Sequence, residues 1–335
     1  MTERVRERNR SWEIYQESLK FRTKRLESLE KSKIHVKAEE VQPMWNGHGY
    51  TWYLIRSEMG FDNQGVSMFI EEIKPHESNV MHRHFSEATI YMLSGHGHTL
   101  LDEDTLGWEA GDAVFVPPMR WHQQFNDGDE TVRYIGMGSE RIMRSVGLYL
   151  VQDVDLVPPE ERPHFGKRPS FSVSTAPTNS TGTLINAETG SQGIYEGDRD
   201  YERTLAEKRL QSKIVANGRD VSPRWDGHSW THYMVDPKLG FGAYIYQIFI
   251  EEMPPGKSTV EHRHLHEEAV YVLEGRGHTI MNGRRYDWKA GDALFLPPFW
   301  WHQHFNDDPD QRTRWLVQSN ALLIKSLGYS PVEHR

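Results

Sequence analysis

The spacing of apolar positions changes character several times along this chain. From residue 1 to about 33, Trp12, Ile14, Tyr15, Leu19, Phe21, Leu26 and Leu29 recur among charged residues at a spacing nearer to helix than to strand. This predicts a charged amphipathic helix packed on its own barrel or on a neighbouring subunit. From Val41 the pattern turns to short aromatic and β-branched runs broken by Gly, Asn and Asp: WNGHGYTWYLI, GVSMFIEEI, NVMHRH, ATIYML, HTLL, DAVFVPP and TVRYIGM. Short strands with turn residues between them predict an antiparallel sandwich or barrel rather than parallel β/α units. Residues 158–199 are rich in Pro, Ser, Thr and Gly, lack periodicity, and read as a linker or an extended arm. A second helical stretch, DYERTLAEKRLQSKI, leads into another set of strands, and ALLIKSLGYSPVEHR closes the chain as a short helix and tail.

The second set of strands copies the first. The offset stays at 180 residues from Trp45/Trp225 through His82/His262 and His122/His302 to Asn126/Asn306. In a strand, residues two apart share a face, so His262 and His264 present both imidazoles to one side, and Glu268 shares it. The run GDALFLPPFWWHQHFN supplies His302 from a partner strand. Three imidazoles and a carboxylate converging inside a barrel suit a divalent metal, with Fe(II), Mn(II), Ni(II), Cu(II) and Zn(II) all admissible. A lone histidine is usually structural, but a repeated HxH with a same-face glutamate and a distant histidine points to a metal centre. The first copy offers His82, His84 and His122, with Ala88 at the place of Glu268. Glu87 lies at odd parity to the ligands, should face outward, and reads, like its counterpart Glu267, as a fold or interface residue. Three neutral imidazoles leave a divalent ion a charge of about +2 with roughly three open positions, against about +1 and two in the second copy. The first copy therefore suits an anionic bidentate substrate bound beside dioxygen; otherwise it is a degenerate barrel that has lost its metal.

Composition narrows the partners. A chain of 335 residues with a repeat of 180 fits two domains of ordinary size. A net charge of −9 argues against nucleic acid or an anionic membrane as the main partner. The absence of cysteine excludes disulfides, thiolate metal sites and cysteine nucleophiles. The N-terminus is charged where a secretory signal needs an apolar core, and no window approaches the roughly 18 apolar residues of a membrane span, so a cytoplasmic protein is expected.

Other polar residues recur in both copies. His98/His278 could orient substrate or bond to backbone, whereas His48/His228 read as structural and Asn126/Asn306 as turn residues. Parity puts Ile90 and Met92 in one barrel, and Val270 and Val272 in the other, near the metal, implying a largely apolar pocket. Arg120 and Trp300 count as inward, and Arg120 is either a clamp for a substrate carboxylate or a surface residue at the barrel mouth. Arg83 and Arg263, between the paired histidines, should point away.

These residues resemble the cupin superfamily. The second copy matches the usual first cupin motif at Gly256, His262, His264, Glu268 and Gly275, and the second at Gly291, Pro297, His302 and Asn306, with Phe299 where glycine is usual. In the first copy His76 and Met119 stand at the Gly256 and Phe299 positions. The resemblance implies an all-β chain of two cupin, jelly-roll-like β-barrels in tandem, with short N-terminal and inter-domain helices. The expected divisions are a helical segment at 1–35, barrel 1 at 36–157, the linker at 158–199, and a helix with barrel 2 at 200–335. The three-His set is similar to that of gentisate and salicylate ring-cleaving bicupin dioxygenases, although Thr89, Ile90 and Tyr91 occupy the stretch where those enzymes carry an arginine. It implies an Fe(II) dioxygenase acting on a hydroxylated aromatic or related chelating acid, and a homo-oligomer. The alternatives are a dioxygen-independent decarboxylase, isomerase or lyase at Glu268's site, or a non-catalytic bicupin that binds a small acid.

Overall fold

The computed structural model describes residues 3–46, 49–156, 201, 203–205, 207–329 and 332–335. The expected linker at 158–199 and His48 lie outside the described residues. Each copy forms one seven-stranded and one five-stranded antiparallel sheet. In barrel 1 the five-stranded sheet runs Val151–Asp153, His82–His84, His122–Asn126, His96–Leu101, Asp104–Glu109, and barrel 2 repeats this order. The register pairs His82 with His122, and His262 with His302, directly across neighbouring strands. Thus the HxH strand and the distant histidine meet through backbone pairing.

The larger sheets exchange their outermost strands. His35–Val36, which precedes barrel 1, pairs with Ala293–Leu296 of barrel 2, and Val215–Ala216 pairs with Ala113–Val116 of barrel 1. Ile34 and Val36 are buried by this exchange, each contributing about 2 kcal/mol of apolar burial. Aromatic edges repeat the reciprocity, Phe61 against Phe295 and Phe115 against Phe241. So do two buried carboxylates. Glu87 accepts the backbone N–H groups of Tyr244 and Ile245 at 2.8 and 3.0 Å, while Glu267 accepts those of Gln64 and Gly65 at 2.8 and 2.6 Å and pairs with Arg25. Both face away from their own metal ligands and tie each ligand-bearing segment to a loop of the other barrel, the interface role that their parity implies.

The first helix spans Glu3–Lys31. Its C-terminal end is docked: Leu29 is buried, Arg25 reaches Asp62 and Glu267, and Glu30 bonds Asn282 and Arg284 of barrel 2. Trp12, Tyr15, Leu19 and Phe21 remain exposed. Within the described residues no helix is long and apolar enough to cross a membrane.

The motif positions that lack glycine keep glycine's backbone. His76, Met119 and Phe299 adopt φ of 59°, 62° and 68°, beside 63° at Gly256. A side chain in this left-handed region costs roughly 1–2 kcal/mol, so the turns that aim the ligands are maintained against local strain.

Candidate metal centres

Both ligand sets converge. The donor atoms of His82, His84 and His122 lie within 4.8 Å of one another, as do those of His262, His264 and His302. Each imidazole is oriented through Nδ1, which donates to a backbone carbonyl. In barrel 1 the acceptors are Val80 at 2.8 Å, Ser86 at 2.7 Å and Arg120 at 2.9 Å; in barrel 2 they are Val260 at 2.9 Å, His266 at 2.7 Å and Trp300 at 2.9 Å. This fixes the tautomer and makes Nε2 the ring nitrogen that each histidine would offer to a cation.

Barrel 2 gives the clearest test of fit. His262 Nε2 and His302 Nε2 face each other at 3.1 Å. With both Nδ1 atoms carrying the protons, this is a meeting of two acceptors that a cation between them would resolve. His264 Nε2 is buried without a hydrogen-bond partner, 3.5 Å from a Glu268 oxygen. The donor set therefore fits a divalent metal in barrel 2, and the three Nε2 atoms of barrel 1 fit one as well.

The electrostatics agree. Burial, reinforced by neighbouring imidazoles, lowers His84 to about 4 and His262 to about 2, and holds His122 and His302 well below the ordinary histidine value. All four imidazoles are neutral at neutral pH, the form that a metal ligand requires. Burial alone would raise Glu268, but His264 and His266 hold it well below the usual carboxylate range, so it is a carboxylate.

The surroundings differ. A cavity of about 170 Å³ opens beside the Glu268 centre and is bounded by residues including Tyr233, Phe249, Glu251, His304 and Lys325. His304 follows His302 on the same face and bonds Thr279 at 2.7 Å. His266 donates to Glu268 at 3.1 Å and stacks on His264. Glu251 is raised to about 7 by burial and by Glu268's charge. Val270 and Val272 are buried in the core as parity predicts, but the cavity wall is mixed rather than largely apolar, because strands Trp230–Val235 and Gln247–Met253 bring Thr231, Gln247 and Glu251 to it beside Tyr233 and Phe249. His228, expected to be structural, lines this cavity, its ring 5.0 Å from His262 and its Nδ1 bonded to Asp226.

In barrel 1, Ile90 and Met92 join Leu101, Val114 and Val116 in a buried hydrophobic cluster. Glu71 is engaged by Asn46, Thr51 and Tyr134. Gln124, two residues after His122 on the same face, accepts from Asn79 while its own NH2 is buried without a partner. Sequence reasoning missed Gln124, His304 and Glu251; the strand period that places His122 and His302 would have found the first two.

The four residues expected to hold substrate are placed elsewhere. Arg120's guanidinium is paired with Asp102 and Asp104, so it is not free to clamp a carboxylate. His98 and His278 stack on Phe125 and Phe305 and bond Asp127 and Asp307, on the outward face of strands whose inward positions are Gly97, Thr99 and Leu101 in barrel 1 and Gly277, Thr279 and Met281 in barrel 2. Trp300 is packed in the core and is not among the residues bounding the cavity. These positions give no support to a substrate role. Arg83 and Arg263 point away from the centres, over Trp121 and Trp301, as parity requires.

Comparison with known proteins agrees with this architecture. A Cupin domain matches at residues 69–137 and again at 249–318. A gentisate 1,2-dioxygenase of Aquipseudomonas alcaligenes is 23% identical over 243 residues, 70% of this chain and 65% of that protein, just under two thirds of the relative's length. Salicylate 1,2-dioxygenase from Pseudoaminobacter salicylatoxidans, solved with gentisate, superimposes with a TM-score of 0.62 at 17% identity, covering 100% of this chain and 94% of that one. Oxalate decarboxylase of Lactobacillus farciminis, solved with formate, gives 0.59 at 15% identity over 90% and 88%. At these identities the structural likeness shows the fold. With a cupin domain in each half, both carrying a converged histidine set, the chain is a bicupin that resembles the gentisate and salicylate ring-cleaving dioxygenases.

Proposed function

We propose that the chain is a metal-dependent bicupin oxygenase, an Fe(II) ring-cleaving dioxygenase that acts on a hydroxylated aromatic or related chelating acid at the barrel 1 centre. The observation that carries this reading is Ala88. Where the second copy has a carboxylate, the first has a methyl group beside three imidazoles, so the ligand set itself contributes no negative charge that would repel an anionic substrate, while Glu71 is engaged by Asn46, Thr51 and Tyr134. Fe(II) held by His82, His84 and His122 would supply electron exchange between the organic acid and dioxygen. The carbonyl-anchored rings hold the donors fixed, and Gln124's unpartnered NH2 would serve as a donor for a substrate oxygen. The likeness to gentisate and salicylate dioxygenases supports this choice. Iron-loaded protein given hydroxybenzoates under labelled dioxygen should yield ring-opened acids containing both labelled atoms; no dioxygen uptake across the panel would overturn the reading.

A second reading, dioxygen-independent decarboxylation, isomerisation or lyase chemistry, is favoured by the position of the cavity beside Glu268 and by the likeness to an oxalate decarboxylase. Turnover of a small acid under argon would support it.

A further inference from the structure

We propose that Asn79 is a positioning residue that fixes which way round the Gln124 amide lies, so that barrel 1 offers an N–H donor to an acceptor oxygen on the ring of its substrate. This deepens the dioxygenase reading and rests on it only in placing an aromatic chelating acid at the barrel 1 centre.

An amide side chain has an acceptor end and a donor end, and its partners decide which faces where. A backbone N–H can only donate. That of Gln124 donates to Asn79 Oδ1 at 2.8 Å, so the other end of Asn79 is its NH2. This NH2 lies 2.6 Å from Gln124 Oε1, which accepts from it. Gln124's own NH2 is therefore turned away from Asn79, and it is buried without a partner. The far side of Asn79 is held as well. It is hydrogen-bonded to the Tyr134 hydroxyl, which donates to Glu71. Glu71 also accepts from Thr51 and Asn46, and the Gly49 N–H on Asn46 Oδ1 fixes that amide in turn. The array has a set polarity from end to end, and it leaves the Gln124 NH2 over as a donor.

His122 and Gln124 are buried positions of one strand, His122–Asn126, and share its inward face. Gln124 lies one inward position beyond the ligand, about 7 Å along the strand. An oxygen bound to the metal sits at the level of His122, so the oxygen that meets Gln124 belongs to a ring substituent beyond the chelating pair. Barrel 2 lacks the device, with Thr259 and His304 at the corresponding positions. Thr259 keeps the backbone contact, accepting the His304 N–H at 3.0 Å, but has no amide with which to orient a neighbour. His304 is bonded to Thr279 instead, at 2.7 Å. Asn79 and Gln124 thus differ from the second copy as a pair.

The test uses the full chain carrying His264→Ala, which removes a ligand of barrel 2 only, loaded with Co(II) under argon. Ortho-hydroxybenzoates bearing either methoxy, an acceptor, or amino, a donor, at each remaining ring position are titrated by calorimetry and cobalt visible absorption. Asn79→Asp keeps the shape but accepts at both ends, so Gln124 must turn its NH2 toward it and present Oε1 to the ligand. Expected, at one ring position at least, is a parent that prefers methoxy. There Asn79→Asp should shift the methoxy-to-amino affinity ratio roughly 10- to 100-fold toward amino, with cobalt content unchanged. Gln124→Glu, which puts a carboxylate oxygen in the same place, should move the ratio the same way. The inference is overturned if the ratio is unmoved in both variants, if it moves toward methoxy, or if the parent binds no member of the panel. Turnover of hydroxybenzoates with an unmoved ratio would sink this inference and leave the dioxygenase reading standing. A shifted ratio under argon with no dioxygen uptake in air would sink that reading and leave this inference.

Discussion

Barrel 1 and barrel 2 share one backbone plan and part at a single ligand. Both orient three imidazoles through Nδ1 onto carbonyls. Barrel 2 adds Glu268 and sets a cavity of mixed polar and apolar lining beside it, whereas barrel 1 has Ala88 and, on Gln124, an unpartnered amide nitrogen. Duplication has preserved what places the ligands and altered what sets the charge. The residues that hold the two halves together remain nearly symmetric, as Glu87 and Glu267 illustrate. A chain built in this way can carry two metal centres with different ligand preferences, each supported by the other half's strand.

Exchanging the one differing ligand should produce the largest effect. Ala88→Glu should retain metal but reduce dioxygen uptake on hydroxybenzoates more than about 100-fold, since the added charge opposes the substrate and fills an open position; metal analysis beside oxygen-electrode rates checks it. Glu268→Ala should weaken metal retention in barrel 2 by roughly 10- to 100-fold and leave uptake intact, measured by chelator competition. Glu267→Ala strands two backbone donors and Arg25 in a buried interface, and should lower stability by about 3 kcal/mol in urea unfolding. Glu87 bears on the same interface through pH. Burial raises it to about 7 against the pull of the Ile245 and Tyr244 N–H groups. A carboxyl raised in the folded state keeps its proton while the unfolded chain loses it, so its contribution to stability is greatest below about pH 4.5 and is lost as pH rises to about 7. That decline, at most about 3 kcal/mol, should be absent in Glu87→Gln. Smallest of all, Phe299→Gly should stabilise by under about 1 kcal/mol, relieving left-handed strain at an exposed side chain.

The convergence of the two histidine sets was legible because a two-residue strand period and a constant repeat offset specify faces without long-range information. The same period made Glu87 and Glu267 readable as outward residues. Arg120 shows where this reasoning stops: its partners Asp102 and Asp104 are adjacent only through the pairing of His122 with Leu101, which no local pattern encodes. Strand exchange was hidden because strands as short as His35–Val36 and Val215–Ala216 carry no periodic signal. The polar part of the barrel 2 wall was missed since parity was counted from the ligand strands alone, whereas Glu251 arrives from the opposite sheet and His228 from the turn between two of its strands.

The central claim is that dioxygen chemistry belongs to the three-His centre. It is tested most directly by iron content and hydroxybenzoate-dependent dioxygen uptake in the parent chain, His84→Ala and His264→Ala, measured side by side. The account predicts about two irons per parent chain and about one in each variant, with uptake lost in His84→Ala and kept in His264→Ala. Uptake that survives His84→Ala and disappears in His264→Ala would contradict it and move the chemistry to barrel 2.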